Sequence, residues 1–142
     1  MKVDLTIPSL GNRFVDYRED ILGDSFSFGP TRKLSQIKFF FVHHSVTPQE
    51  GNWKKEADRI ASLHVNGNGW AGVGYHYIIG SDGVIAYVQD ISHGGASVLN
   101  HNEVLISACL VGDFTKQLPT DMQIHSAYDL IDFFLNKPST IL

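Results

Sequence analysis

A single cysteine, Cys109, excludes any internal disulfide framework and any multi-cysteine zinc cluster. No apolar run approaches the roughly 20 residues that a membrane-spanning helix needs. No hydrophobic segment follows the opening Met1-Lys2-Val3-Asp4, so no signal peptide is visible. Positive charge is also scarce. Eleven basic residues against fifteen acidic ones give a net charge of −4, which argues against a general nucleic-acid or anionic-membrane binder and leaves only a local patch open. HExxH, CxxC, P-loop and GxSxG motifs are all missing, as are internal repeats, low-complexity tracts and linkers. What the 142 residues do contain is core material: 43% apolar residues, with nine Phe, five Tyr and two Trp. That length suits one domain with a sizeable core.

The hydrophobic pattern orders the elements. Residues 1–33 are mixed in polarity and carry Pro8, Gly11-Asn12, Gly23-Asp24 and Gly29-Pro30, so they read as an irregular but ordered lead-in. Ile37 to Val42 is nearly continuous and aromatic, the pattern of a central strand buried on both faces. Trp53, Ala57, Ile60, Ala61, His64 and Val65 form a helical stripe, with Asn52 placed to cap it and Asn66-Gly67-Asn68-Gly69 to end it. Gly74–Ile79 and Val84–Val88 flank Gly80-Ser81-Asp82-Gly83 and predict a hairpin. A polar, glycine-rich loop over 90–103 leads to a buried strand over 104–111. Thr120 and Gln123 have capping-box spacing, and Met122, Tyr128, Ile131, Phe134 and Leu135 predict one face of a second long helix that Pro138 stops. Ile141-Leu142 looks like the start of a further strand. The whole is an α/β domain: a mixed central β-sheet flanked by helices.

Seven histidines supply most of the candidate chemistry. His43 and His44 end the first long strand, where α/β sheets usually place ligands, and strand alternation sends them to opposite faces. By the same alternation Tyr75 and Tyr77 share a face and His76 takes the other, where packing is the plainer account. His93 and His101 flank the glycine-rich loop, and a long polar loop between strands is uncommon without a function. His64 and His125 lie on helices and read as structural or surface residues. Cys109, inside Ala108-Cys109-Leu110-Val111, reads as a buried small hydrophobe. Asp113, after Gly112 at a strand end, reads as a turn residue. Spacing alone therefore yields a histidine-rich α/β domain with room for a metal site.

Several blocks in order resemble the zinc-dependent N-acetylmuramoyl-L-alanine amidases, a family that includes phage lysozyme-amidases and animal peptidoglycan recognition proteins. They are Phe41-Val42-His43-His44-Ser45-Val46-Thr47, Gly69-Trp70-Ala71-Gly72-Val73-Gly74-Tyr75-His76-Tyr77-Ile78-Ile79, Ser81-Asp82-Gly83, Ser92-His93-Gly94-Gly95, Asn100-His101-Asn102 and Cys109-Leu110-Val111-Gly112-Asp113-Phe114. The likeness covers roughly residues 30 to 136 and implies a single amidase-like domain. It implies that His43 is a zinc ligand, that Tyr75 is catalytic beside the metal, and that His93 and Asn100 bind substrate. Zinc with three protein ligands and one open position makes bound water acidic and polarises a carbonyl, and a phenol can stabilise the oxyanion. The bond implied is the amide between N-acetylmuramic acid and L-alanine of the peptidoglycan stem peptide.

The pattern then departs from the family. Its other two zinc ligands lie beyond the second long helix, in a His…Cys-Pro loop that these 142 residues do not contain, and Cys109 matches a strand cysteine instead. Three readings follow: a truncated piece of a longer amidase, which the apolar Ile141-Leu142 favours; a short form that binds peptidoglycan without cutting it; or zinc recruited with substitutes such as His93 or a second chain. The expected partners are peptidoglycan and muropeptides, with no nucleic acid and no membrane span. The expected location is the cytoplasm, or the cell wall after release without a Sec signal.

Overall fold

The computed structural model describes residues 2–136. A five-stranded sheet holds β1 (Phe14–Asp16), β2 (Phe39–His44), β3 (Tyr77–Ile79), β4 (Ile85–Tyr87) and β5 (Leu105–Leu110), with helices α1 (Trp53–Ser62) and α2 (Asp121–Leu135). The strand order is β1-β4-β3-β5-β2. Only the β3–β4 hairpin is antiparallel, and every other neighbour pairs parallel.

Local chemistry sets the element ends. The Asn52 side chain accepts hydrogen bonds from the Lys54 and Lys55 amides and caps α1. Thr120 and Gln123 satisfy each other's backbone amides at the start of α2. In the hairpin turn the Asp82 carboxylate accepts from the Val84 amide and also from the Trp53 amide at the start of α1. The turn and the helix are thereby tied together.

The two sheet faces carry separate cores. On one, Tyr77, Ile79, Ile85, Tyr87 and Ile106 pack against Leu130 and Phe134 of α2. On the other, Ile78, Val88, Cys109 and Val111 pack against Ala57, Ile60 and Ala61 of α1. The α2 interface is polar at its start. Gln123 is fully buried and saturated: its amide donates to the Ile79 and Val111 carbonyls, while its carbonyl accepts from the Thr120 amide and Gln49.

The lead-in is locked by Arg18. Its guanidinium donates to both Asp16 oxygens, to Asp4 and to the buried Asp90, and lies 4.2 Å over the Tyr87 ring. Arg32 plays the same part with carbonyls, donating to Ile91, Asn102 and Leu105 across the 90–104 loop. Burial pushes Arg32 down to about 10.

Four sequence expectations are corrected. The lead-in is not wholly irregular, because Phe14–Asp16 pairs with β4 as an edge strand too short to show alternation. β2 is an edge strand among the described residues, not a central one: Phe40 packs on Phe134, while Phe39 is 57% and Val42 48% exposed. Met122, Tyr128 and Leu135 are exposed; Phe134 is buried as expected, but its buried companions on α2 are Gln123, Ser126 and Leu130. Buried polar groups that find partners shifted that face by a residue. Tyr75 and Tyr77 lie on opposite faces, since β3 begins only at Tyr77 and the His76 carbonyl accepts from both Val88 and Gln89, which breaks the alternation. The strand expected at 141–142 lies outside the described residues.

Replacing Arg18 by Met strands the buried Asp90 charge. The expected loss is about 3–5 kcal/mol of unfolding free energy, measured by urea titration at neutral pH; a loss below about 1 kcal/mol would show that the carboxylates are independently satisfied.

Candidate functional site

α1 lies over β3 and β4, β5 is buried along its length, and the face opens to solvent at the β2 edge, where Phe39 and Phe41 are exposed. The register places Ile78, Cys109 and His43 in one row across that face. Tyr75 joins the same core. From this edge a row of half-buried and exposed rings runs along the face. Consecutive centroids are 6.2 Å apart for Phe39–Phe41, 6.5 Å for Phe41–His43, 5.5 Å for His43–Tyr75, 5.4 Å for Tyr75–His64, 4.7 Å for His64–Trp70 and 6.0 Å for Trp70–Phe28.

His43 and Tyr75 are thus brought together. The Nε2 of His43 is buried and has no hydrogen-bond partner. Burial, with a smaller effect from His44 beside it, holds His43 below its ordinary value, so its ring is neutral and its lone pair available at neutral pH. His44 points away, stacked on Phe114 at 5.6 Å and accepting the Phe114 amide hydrogen. Tyr75 packs against the core that holds Cys109, whose thiol donates to the Leu110 carbonyl, and burial raises both groups, the thiol to about 12. Cys109 is therefore a protonated, buried neighbour and no nucleophile.

His64 is the member that sequence reasoning set aside. After Ser62 the helix opens into a single π-helical turn, Leu63–Gly67, and His64 lies between Trp70 and Tyr75. Its Nδ1 accepts the Gly74 amide hydrogen at 3.0 Å, so the proton sits on Nε2. The only signal for it was a histidine at a helix end just before a glycine-rich turn and Trp70.

His93 and Asn100 are not members of this row, although the loop that carries them bonds to the Phe28 and Gly74 carbonyls. His93 stands at the start of a loop held against Gly74, where the Ala96 amide donates to the Gly74 carbonyl. Gly95, at φ +65°, comes so close that a Cβ there would lie 2.3 Å from the same oxygen. The His93 ring contacts Thr31 and Ser92. Asn100 is exposed at the loop tip with φ 66°. Asn102 instead anchors the loop, accepting from the Ser97 and Val98 amides. His76 is wholly buried, accepting from the Ser107 amide through Nδ1 and donating from Nε2 to the His93 carbonyl at 2.7 Å. Asp113 closes its own turn on Thr115.

A zinc centre of the kind the resemblance implies needs three protein ligands. Among the described residues no three His, Cys, Asp or Glu side chains converge. Met1 and residues 137–142 include none of these types. Within the ring row, His43 has a neutral ring and an unpartnered nitrogen of the kind a ligand needs. The donor set of these 142 residues does not fit the metal.

A family model described as N-acetylmuramoyl-L-alanine amidase matches residues 33–139. A human N-acetylmuramoyl-L-alanine amidase is 29% identical over 106 residues, 70% of this chain and 18% of that protein. The endolysin of Enterobacteria phage K11 is 35% identical over 80 residues, 56% of this chain and 51% of that protein. The chain therefore spans about half or less of these relatives' lengths. Among solved structures, human PGRP-IβC in complex with glycosamyl muramyl pentapeptide superposes with a TM-score of 0.73 at 19% identity, covering 86% of this chain and 74% of that one. At that identity the likeness is one of fold.

The His76 environment makes stability pH-dependent. Burial, then the Arg32 charge, pushes His76 down to about 3. An unfolded histidine takes up its proton near pH 6.5, so this stability is complete above that pH and is lost progressively as pH falls toward 3. Between pH 7.5 and 5 the expected loss from His76 is roughly 2 kcal/mol, read from denaturation midpoints. An unchanged midpoint over that interval would mean that His76 is protonated in the folded chain.

Proposed function

We infer the function from a premise of kinship: the chain belongs to the N-acetylmuramoyl-L-alanine amidase family. The function its site supports best is recognition of the muramoyl-peptide unit of peptidoglycan. The carrying observation is the row of seven half-buried or exposed rings that runs from Phe39 at the β2 edge to Phe28. Rings that are partly buried and rigidly packed offer apolar area at little entropic cost, which suits an extended ligand with alternating apolar and hydrogen-bonding groups. Support also comes from a relative of the same fold whose structure holds a glycosamyl muramyl pentapeptide. On this reading the muramoyl–L-alanine junction lies over His43 and Tyr75, and the rest of the ligand follows the row toward Trp70.

Hydrolysis of that junction is the second reading. It is favoured by the buried, unpartnered Nε2 of His43, which is suited to a zinc ligand. Zinc would polarise the amide carbonyl and supply a nucleophilic water. The chain's own residues contribute one ligand of the three, so we propose that these 142 residues bind without cutting. Cleavage would require ligands they do not contain.

Calorimetric titration of the chain with a soluble muramyl peptide, with and without a chelator, separates the readings. The expected result is saturable, chelator-insensitive binding with no released peptide. Trp70→Ala should weaken it about tenfold, the roughly 1.4 kcal/mol that one aromatic platform supplies. Absence of saturable binding would sink the recognition reading, and chelator-sensitive release of peptide would establish the hydrolytic one.

A further inference from the structure

Asp90 is fully buried, and the ring contacts of the candidate site do not involve it. One of its oxygens accepts from Arg18 at 2.7 Å and from the Val3 amide at 2.8 Å. The other accepts from the Ser92 amide at 3.0 Å and from the Ser92 hydroxyl at 2.7 Å. The same hydroxyl oxygen lies 3.2 Å from Nδ1 of His93, and Nε2 of that ring lies 3.1 Å from the Thr31 hydroxyl. The four side chains form one continuous relay from the interior to the surface.

A hydroxyl has a single hydrogen. A carboxylate salt-bridged to Arg18 can only accept, so the Ser92 hydrogen goes to Asp90 and the Ser92 oxygen is left to accept from the ring. His93 must then carry its proton on Nδ1. Its Nε2 becomes an acceptor, which draws the Thr31 hydrogen and leaves the exposed Thr31 oxygen with open lone pairs. The backbone of His93 is held as firmly, since its amide donates to the Asp90 carbonyl and its carbonyl accepts from His76. Neither ring rotation nor tautomer exchange is free at this position.

We propose that Asp90 and Ser92 are positioning residues that fix His93 in its Nδ1–H tautomer, so that Nε2 draws the Thr31 hydrogen inward and the exposed Thr31 oxygen presents its lone pairs to an N–H or O–H group of a bound muropeptide. The ligand part of this statement rests on the recognition reading above, whereas the tautomer part stands without it. Ser92→Ala removes the relay and spares the structural contacts of Asp90, which keeps Arg18, the Val3 amide and the residue-92 amide. Ser92→Thr restores the hydroxyl.

Long-range proton–nitrogen NMR of the chain labelled with nitrogen-15 histidine, recorded above the histidine titration range, reads the tautomer directly. The expected result is Nδ1–H for His93 in the wild type and in Ser92→Thr, and conversion to Nε2–H in Ser92→Ala. Muramyl peptide affinity should fall about five- to tenfold in Ser92→Ala, as for one hydrogen bond, and return in Ser92→Thr. A wild-type His93 found as Nε2–H, or a tautomer unchanged by Ser92→Ala, overturns the relay. A converted tautomer with unaltered affinity overturns its role in recognition. If the wild type binds no muramyl peptide while the tautomer converts, the recognition reading fails and the relay stands.

Discussion

The contact on which the rest depends is the buried pair between Arg18 and Asp90, with side-chain exposures of 1% and 0%. An ion pair removed from water is costly unless every remaining donor and acceptor is filled. Here they are filled by Asp4, Asp16, the Val3 carbonyl and amide, and Ser92. The pair therefore contributes definition more than raw stability. It decides where the lead-in crosses the sheet, holds β1 beside β4, and fixes the start of the loop that carries His93. Arg32 completes this from the other side with carbonyl contacts. The long polar loop is ordered by buried cations and not by secondary structure of its own.

A second constraint is the uneven cover of the sheet. α2 and the lead-in fill one face, where Tyr77 stacks on Tyr87 and meets Phe134 at a tilt. The core that α1 shares with β3, β4 and β5 fills most of the other and stops short of the β2 edge, where Phe39 and Phe41 are exposed. The uncovered part cannot be left apolar and flat without inviting association. It is occupied by histidines and tyrosine interleaved with Phe39, Phe41 and Trp70, rings that tolerate water at one edge and packing at the other. The π-helical turn at the end of α1 has its meaning in this setting. It widens the helix at the place where His64 must reach Tyr75 and Trp70, and π-turns recur at functional sites for this reason.

The chemistry of the site is divided between what is built and what is not. His43 is neutral, buried and unpartnered, and Tyr75 is packed between two imidazoles. Cys109, one register step inward, is held as a thiol by burial. It is the wrong cysteine for metal, although it lies in the row next to His43. A single nitrogen does not make a zinc centre, while a row of rings does make a binding surface. That asymmetry is why we propose recognition and not cleavage for these residues.

Much of the organisation was legible in the sequence. The Thr120–Gln123 capping box, the Asn52 cap, the hairpin at Gly80–Gly83 and the burial of Cys109 and His76 follow from local rules, because caps, turns and apolar strands are decided within a few residues. The motif blocks likewise identified His43 and Tyr75 as neighbours-to-be. Three-dimensional neighbourhood decided the rest. No local pattern could make β2 an edge strand, since apolarity reports a tendency to be buried and not the number of partners. Nothing in the spacing of Tyr75 and Tyr77 foretold that His76 would break the alternation, because that break depends on two amides of a different strand. His64 acquired its place only when a π-turn and Trp70 met Tyr75. The tautomer of His93 is set by Asp90 through a hydroxyl, and by an arginine 72 residues from that carboxylate in sequence, a relation that only the folded chain contains.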